Sequence, residues 1–290
     1  MSAAVNRLPP QSFFLVSAVF HYLGPSLAVL LFARVSVLGV AWLRIVTAAV
    51  VFAAWRRPWR IAAKLDRRGL AVLLGLGVVL AAMNSVFYLA VDRLPLATVG
   101  AIEVLGTVLL AAAGTRTRRN AAALALTTAG VVVITEIQIA GQPLGFVFAF
   151  GNCALFVLYI MLGHKIANVG DGSGGPAGSA LSGIDRLGAS MLIAAVVACP
   201  LGLGGALAAF SHPLLLLAGA GVGVCSSVIP YVTDQLAMAR LPRATFALML
   251  ALLPVFATII GAVVLRQIPT LPDLGGIALV VIGVAVHKTR

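Results

Sequence analysis

The sequence predicts an all-α membrane protein with ten transmembrane helices in two inverted five-helix repeats. Three observations lead to this fold class: the proportion of apolar residues, the uneven distribution of Lys and Arg, and one short motif that occurs twice. The 290 residues are 61% hydrophobic and only 10% charged, whereas soluble domains have roughly 45–50% apolar and about 25% charged residues. A soluble core of this chain length could not bury so many apolar side chains.

The apolar residues form ten runs, each about long enough to cross a bilayer as a helix. The expected spans are 12–33, 37–55, 69–91, 95–114, 121–137, 144–163, 185–208, 214–238, 243–265 and 271–287. Most connections between them are short. The exceptions are the basic segment 56–68 and the Gly- and Ser-rich segment 164–184, which we expect to be a flexible loop.

Lys and Arg lie mostly on one side of the predicted bundle. The two termini and every second connection hold 16 of the 20 basic residues, the opposite connections hold three, and Arg44 lies within a span. Basic residues are enriched in cytoplasmic connections, so both termini are expected in the cytoplasm and the chain in the cytoplasmic (inner) membrane. The net charge of +12 is therefore attributed to orientation in the lipid bilayer, with no nucleic-acid partner.

A short motif occurs twice, which indicates an internal repeat. Residues 93–98 have the sequence RLPLAT, and residues 240–245, displaced by 240 − 93 = 147 positions, have the sequence RLPRAT. The offset is about half the chain, so 1–140 and 141–290 are expected to form the two repeats. Five spans is an odd number, so the second repeat inserts upside down, an arrangement typical of secondary transporters with a substrate site near the midplane.

The sequence carries no motif for nucleotide or metal chemistry. It has neither Gly-x-x-x-x-Gly-Lys nor His-Glu-x-x-His, so no catalytic residue, cofactor or metal ligand is assigned. An intramembrane enzyme remains an alternative because Ser and His are both present, although no spacing pairs them. A channel or a purely structural role is the other alternative.

Four polar residues from four helices are expected to share one layer of the membrane. Arg44 and Glu103 each lie about eight residues from the outer end of a span, a depth of about 12 Å, and Asn84 and Asn152 fall at nearly the same depth. Tyr88 lies one turn from Asn84. Arg44 suits a carboxylate, and Glu103 suits an ammonium group or a transported proton. The alternative is a buried Arg44–Glu103 ion pair, with the Asn residues bridging helices.

Four further residues are candidates for substrate contact, coupling or gating. Tyr231 is expected to contact the substrate, and Asp234, near the cytoplasmic end of the same span, either lines an inner gate or is an interfacial charge. His21 is either a proton relay or a packing residue. Pro254 is expected to kink or break its span, which could serve gating.

A glycine motif bears on the oligomeric state. Gly219-x-Gly221-x-Gly223 offers a small-residue face either for packing within the bundle or for a contact between two copies. The chain is therefore expected to be a monomer or a homodimer.

Several segments resemble a known family: Leu43-Arg44, RPWR at 57–60, MNSVFYL at 83–89, EVLG at 103–106, IPY at 229–231 and RLPRATF at 240–246. Over nearly its whole length the chain resembles the drug/metabolite transporter superfamily, EamA type, most of all the threonine/homoserine exporter group. The resemblance implies proton-linked or exchange-type export of small amino acids. Other amphipathic metabolites or drugs of the same superfamily are the alternative cargo.

The chain departs from the family pattern at three places. Leu253-Pro254 stands where the family often has Glu-Pro, Arg266-Gln267 where it often has Gly-Glu, and Thr107 where it has Pro. These differences concern the substrate and the energy coupling, since none of them alters the expected fold.

The charge distribution makes a topological prediction. Single cysteines at positions 60, 175 and 290, in a background without native cysteines, should not react with a membrane-impermeant maleimide in intact cells and should react in everted vesicles. Labelling of any of the three in intact cells would refute the ten-span topology.

Overall fold

The computed structural model describes residues 9–62, 65–114, 117–136, 142–168, 176–238 and 253–286. Over these residues the chain is helical, without strands. The helical elements are α1 (Pro10–Leu31), α2 (Val37–Arg56), α3 (Arg67–Val91), α4 (Leu96–Gly114), α5 (Arg118–Glu136), α6 (Pro143–Asn168), α7 (two arms, Pro176–Val197 and Cys199–Phe210), α8 (Pro213–Gly223, Val224–Val228 and Ile229–Met238), α9 (Leu253–Leu265) and α10 (Leu271–Val286). A one-turn helix, Trp59–Ala62, follows α2.

Five helices in the described residues are long and apolar enough to cross a membrane: Ser12–Leu31, Val37–Arg56, Arg67–Val91, Pro143–Leu162 and Pro213–Asp234. The bent α7 makes a sixth if its two arms count as one span. Shorter apolar helices occur in α4, α9 and α10. The expected membrane protein built of helices agrees with these findings, and the total of ten spans remains a proposal.

The surface of the bundle is apolar. Leu214, Val263 and Val196 are 81%, 76% and 74% exposed, and many other large apolar side chains are also exposed. Exposed apolar area on this scale is unfavourable in water and is satisfied by lipid.

The expected span 185–208 is not one continuous helix, because α7 bends by 81° between Val197 and Cys199. Pro200 lies at the start of the second arm. Because proline has no N–H, the carbonyl of Val196, four residues earlier, loses its α-helical donor. The second arm can therefore turn away and pack along α2, where Gly202 and Gly205 meet α2 residues.

The expected loop over 164–184 is also largely wrong. Helix α6 continues to Asn168, and α7 already begins at Pro176, so that only 169–175 of this segment lie outside the described residues. Pro176 is favourable as the first residue of a helix, where its missing N–H has no partner to lose. The glycine content of the segment predicted a longer break than the chain has.

Helix contacts follow a recurring pattern between the two halves. Helix α5 packs on α10, α2 on α7, and α4 on α9, while α3 packs on α6 and α8 on α1. Three of these contacts are close enough for backbones to meet. In the α1–α8 contact, a Cβ at Gly24 would lie 2.6 Å from the backbone nitrogen of Ser226. A Cβ at Gly39 of α2 would lie 2.5 Å from the carbonyl carbon of Gly205, and one at Gly130 of α5 would lie 2.5 Å from the Gly276 oxygen of α10.

The glycine contact between α2 and α7 generates a stability prediction. Gly39→Ala should lower the free energy of unfolding by about 1–3 kcal/mol, because its Cβ meets backbone that must move. Gly204→Ala is the matched control, since nothing lies within 4 Å of its added Cβ; it should be neutral or stabilising by about 0.5–1 kcal/mol. Thermal unfolding of the purified variants in detergent measures both, and equal effects would contradict the close approach.

Candidate functional site

A small cavity lies among α1, α2, α3, α4, α6 and α8. Its volume is about 30 Å³, and it is lined by His21, Arg44, Met83, Asn84, Phe87, Glu103, Asn152, Phe156 and Tyr231. Five of the six expected substrate-binding residues therefore line one cavity, together with His21. The sixth, Tyr88, is fully buried and lies behind Arg44 instead of in the lining.

The guanidinium of Arg44 is held by α8. Its Nε donates to Ser227 Oγ at 2.9 Å, and its Nη2 donates to the carbonyl oxygen of Ser226 at 2.9 Å. Its central carbon lies 5.3 Å from the centroid of the Tyr88 ring, a cation–π distance. Nη1 has no hydrogen-bond partner among the described residues, so Arg44 keeps donor capacity on the cavity side.

The local sequence of α8 explains why the Ser226 carbonyl is free to accept. Pro230, four residues later, has no N–H, so this carbonyl lacks its α-helical donor. The helix widens into a π-helix over Val224–Val228 at the same place, and such turns are frequent at functional sites. Gly223 brings α8 close to α2, since a Cβ there would lie 2.9 Å from the Arg44 carbonyl oxygen.

Ser226 and Ser227 were not identified from the sequence. The available signal is a Ser-Ser pair inside an apolar span, with a proline four residues after the first serine. Neutral serines carry no insertion cost comparable to that of Arg or Glu, and therefore they did not stand out.

Glu103 stands across the cavity with two different neighbours. Its Oε1 accepts a hydrogen bond from Asn152 Nδ2 at 3.2 Å, and its Oε2 lies 3.7 Å from His21 Nε2. Oε2 and Asn152 Oδ1 are buried without hydrogen-bond partners. Buried acceptors of this kind are costly, so this wall is suited to receive a donor such as an ammonium group, a proton or water.

The Arg44–Glu103 ion pair, the alternative to a binding layer, is not formed. The ion pairs among the described residues are His21–Glu103, Arg56–Asp185 and Arg93–Asp92. Arg44 and Glu103 are each only 5% exposed, yet each has its contacts on its own side: Arg44 with α8 and Tyr88, and Glu103 with Asn152 and His21. The cavity therefore has a positive wall and a negative wall.

Tyr231 and Asn84 meet at the cavity. The Tyr231 hydroxyl is hydrogen-bonded to the Asn84 side chain, and the Asn84 amide also donates to Leu80 O on its own helix at 2.7 Å. The Tyr231 ring lies 6.4 Å from that of Tyr159. Tyr231 thus connects the lining of the cavity to Asn84 of α3 and to Tyr159 of α6.

The proposed gating residues lie in different places. Asp234 does not line the cavity; it is half-buried and hydrogen-bonded to Ser17 of α1, with His21 near. Pro254 is buried at the second residue of α9. Whether it kinks the expected span 243–265 depends on 243–252, which lie outside the described residues.

The glycine motif of α8 packs mainly within the bundle. Added Cβ atoms at Gly219 and Gly223 would meet Leu43 and Thr47 of α2, and one at Gly221 would meet nothing within 4 Å. Two of the three glycines are therefore explained by the α2–α8 contact.

Comparison with known proteins gives relatives over nearly the whole chain. No protein-family model matches. The chain is 28% identical over 276 residues to the threonine/homoserine exporter RhtA of Salmonella typhimurium strain LT2 and to that of Escherichia coli strain K12, with 92% of this chain and 88% of each relative covered. These relatives are transporters by name and not enzymes, in agreement with the expectation for this chain.

A solved structure shares the fold. A protein chain of known crystal structure superposes with a TM-score of 0.59 over 95% of this chain and 96% of that chain, at 20% identity. Together with the apolar helices, the likeness to bacterial exporters supports a multi-pass protein of the inner membrane.

The anchoring of Arg44 generates a second stability prediction. Ser227→Ala leaves the buried Nε of Arg44 without an acceptor and should lower the free energy of unfolding by about 1–3 kcal/mol. Ser85→Ala is the control, because that buried hydroxyl only donates to Ala81 O of its own helix. Thermal unfolding in detergent should show a clearly larger loss for Ser227→Ala; an equal loss would mean that the bond to Arg44 adds nothing.

Proposed function

We propose that the protein exports small amino acids of the threonine/homoserine type, or related metabolites, across the cytoplasmic membrane, coupled to protons or by exchange. One observation carries this proposal: Arg44 and Glu103 face one cavity with opposite charges that do not neutralise each other. An α-amino acid has the matching pair of groups, a carboxylate and an ammonium. The named function of the relatives points to the same class of substrate.

The substrate binds with its ends on opposite walls. Its carboxylate accepts from Nη1 of Arg44, whose planar fork suits carboxylates. Its ammonium donates to Oε2 of Glu103 and Oδ1 of Asn152, the two buried oxygens that have no partner. The carboxylate and the ammonium of the substrate thus form charge-assisted hydrogen bonds with groups that have no hydrogen-bond partner in the free protein.

The size of the cavity requires a conformational change during transport. A volume of about 30 Å³ holds one or two water molecules, and an amino acid needs more space. The site must therefore widen when it opens to either side, as expected for alternating access. Tyr231 and Asn84 are suited to part in this step because their hydrogen bond joins α8 to α3.

The helix contacts support the inverted repeat. In a two-repeat protein each helix of the first half has a counterpart five helices later. If every helix is replaced by its counterpart, the α3–α6 contact becomes the α8–α1 contact, and the α4–α6 contact becomes the α9–α1 contact. All four contacts are present. At the repeat offset, 84 + 147 = 231, so Asn84 corresponds to Tyr231. These two residues hydrogen-bond to each other, as residues near a twofold axis between repeats can.

Glu103 is also the proposed proton carrier. Among the described residues it is the only carboxylate in the cavity lining, so a proton and a substrate ammonium compete for the same oxygen. Release of the amino acid on one side would allow protonation, and deprotonation on the other side would restore the binding site. His21, next to Oε2, is positioned to pass that proton, with Asp234 as a second group near it.

Replacement of Glu103 tests binding and coupling together. In everted vesicles, Glu103→Gln should insert and fold but lose accumulation of L-threonine driven by a pH gradient, by at least about tenfold. Asp92→Asn is the control, since it removes a carboxylate that lies outside the cavity, in a surface ion pair with Arg93. A normal pH dependence in Glu103→Gln would place the proton site elsewhere, with Asp234 and His21 as the next candidates.

The same assay tests the class of substrate. Wild-type vesicles should take up L-threonine or L-homoserine in preference to amphipathic drugs, and Arg44→Lys should raise the apparent KM by about tenfold because the paired donors are lost. Uptake of the drugs alone would favour the alternative cargo of the superfamily.

A further inference from the structure

A second, larger cavity lies at the end of α4 that faces away from the cytoplasm in the expected orientation. Its volume is about 250 Å³, compared with about 30 Å³ for the inner cavity. It lies among the start of α4, helix α9, the 266–270 connection and the start of α10. The volume is about eight times that of a water molecule in the liquid, which is enough for a small amino acid.

Asp273 lines this outer cavity, and one of its two carboxylate oxygens has no hydrogen-bond partner. Oδ2 of Asp273 accepts from the backbone N–H and the hydroxyl of Thr270, at 2.9 and 2.7 Å, which caps α10. Oδ1 of Asp273 is buried and has no hydrogen-bond partner. Asp273 takes part in none of the ion pairs of the described residues. The capping role thus explains one oxygen and leaves the other without a function.

The two cavities are neighbours along α4. Thr98 lines the outer cavity and Glu103 the inner one, a separation of about 7.5 Å along the helix axis. Gly100 lies between them, where an added Cβ would be 2.8 Å from the Tyr22 hydroxyl and 3.3 Å from Ala257 Cβ. Ala257 lines the outer cavity. Tyr22 and Ala257 thus contact α4 at the level between the two cavities, and together they are called the wall below.

The wall has the properties of a movable partition. The hydroxyl of Tyr22 is buried without a hydrogen-bond partner, so no hydrogen bond of this hydroxyl is broken when the side chain moves. Pro25, within the same helix, removes one backbone hydrogen bond a turn away and makes local bending of α1 easier.

We propose that the outer cavity is an exit subsite that binds the ammonium group of the departing substrate at Asp273 Oδ1. This inference rests on the proposed export of amino acids. The substrate passes Tyr22 from the inner cavity, exchanges Glu103 for Asp273 as the partner of its ammonium group, and leaves by the 266–270 connection. The hydroxyls of Thr98 and Thr258 in the lining supply polar contacts along the way.

Protection from labelling tests the subsite without requiring transport. Thr258→Cys, in a background without the native cysteines, places a thiol in the outer cavity, and a membrane-impermeant maleimide is applied to intact cells. L-threonine should slow the labelling, whereas N-acetyl-L-threonine, which lacks the ammonium charge, should not. Arg34→Cys, in another outer connection, is the control and should label at one rate under all conditions.

Two further variants separate the subsite from the inner cavity. Asp273→Asn keeps a side-chain oxygen that can cap α10 but removes the negative charge. The concentration of L-threonine that halves the labelling rate of Thr258→Cys should therefore rise by about tenfold. Glu103→Gln should leave protection at Thr258→Cys unchanged. Protection that survives Asp273→Asn, or that Glu103→Gln abolishes, would overturn the subsite, as would labelling of Thr258→Cys from the everted side alone. Protection without threonine uptake by wild-type vesicles would keep the subsite and refute the proposed export of threonine.

Discussion

The anchoring of Arg44 is the interaction on which the arrangement of the site depends. A guanidinium within the membrane needs acceptors inside the protein, because lipid supplies none. The chain supplies a backbone carbonyl that Pro230 has deprived of its helical donor, a serine hydroxyl and the face of Tyr88. All three partners are neutral. Arg44 is therefore stabilised without losing its positive charge to a carboxylate.

This solution determines the chemistry of the opposite wall. If Arg44 paired with Glu103, the cavity would be electrically balanced and filled by its own side chains. Because Arg44 is held elsewhere, Glu103 is paired only with an amide and lies 3.7 Å from His21. Under the proposed function, a zwitterionic amino acid provides the charges that the two walls lack, whereas a ligand with a single charge of either sign would pair with only one wall.

Sequence reasoning located the cavity residues but not their partners. Arg44, Asn84, Glu103 and Asn152 could be placed together because a common depth in four helices depends only on residue counts and helix rise. The choice between an ion pair and a cavity depends on the rotation of α2 and α4, which is decided by glycine contacts across the bundle. The π-helix of α8 and the 81° bend of α7 likewise arise where a proline frees a carbonyl, and tertiary packing decides whether the helix widens or bends there.

The unpaired buried atoms connect this arrangement to transport. Tyr22 Oη, Glu103 Oε2 and Asn152 Oδ1 have no hydrogen-bond partner, and each such atom costs about 1–3 kcal/mol. A ligand that pairs them lowers the free energy only of the conformation in which it binds them. Differential binding of this kind is what shifts a conformational equilibrium. Tyr22 Oη lies beside Gly100, which is three residues before Glu103 on α4. Under the proposed function, a substrate in the inner cavity would therefore act on the position of Tyr22 when it binds and when it leaves.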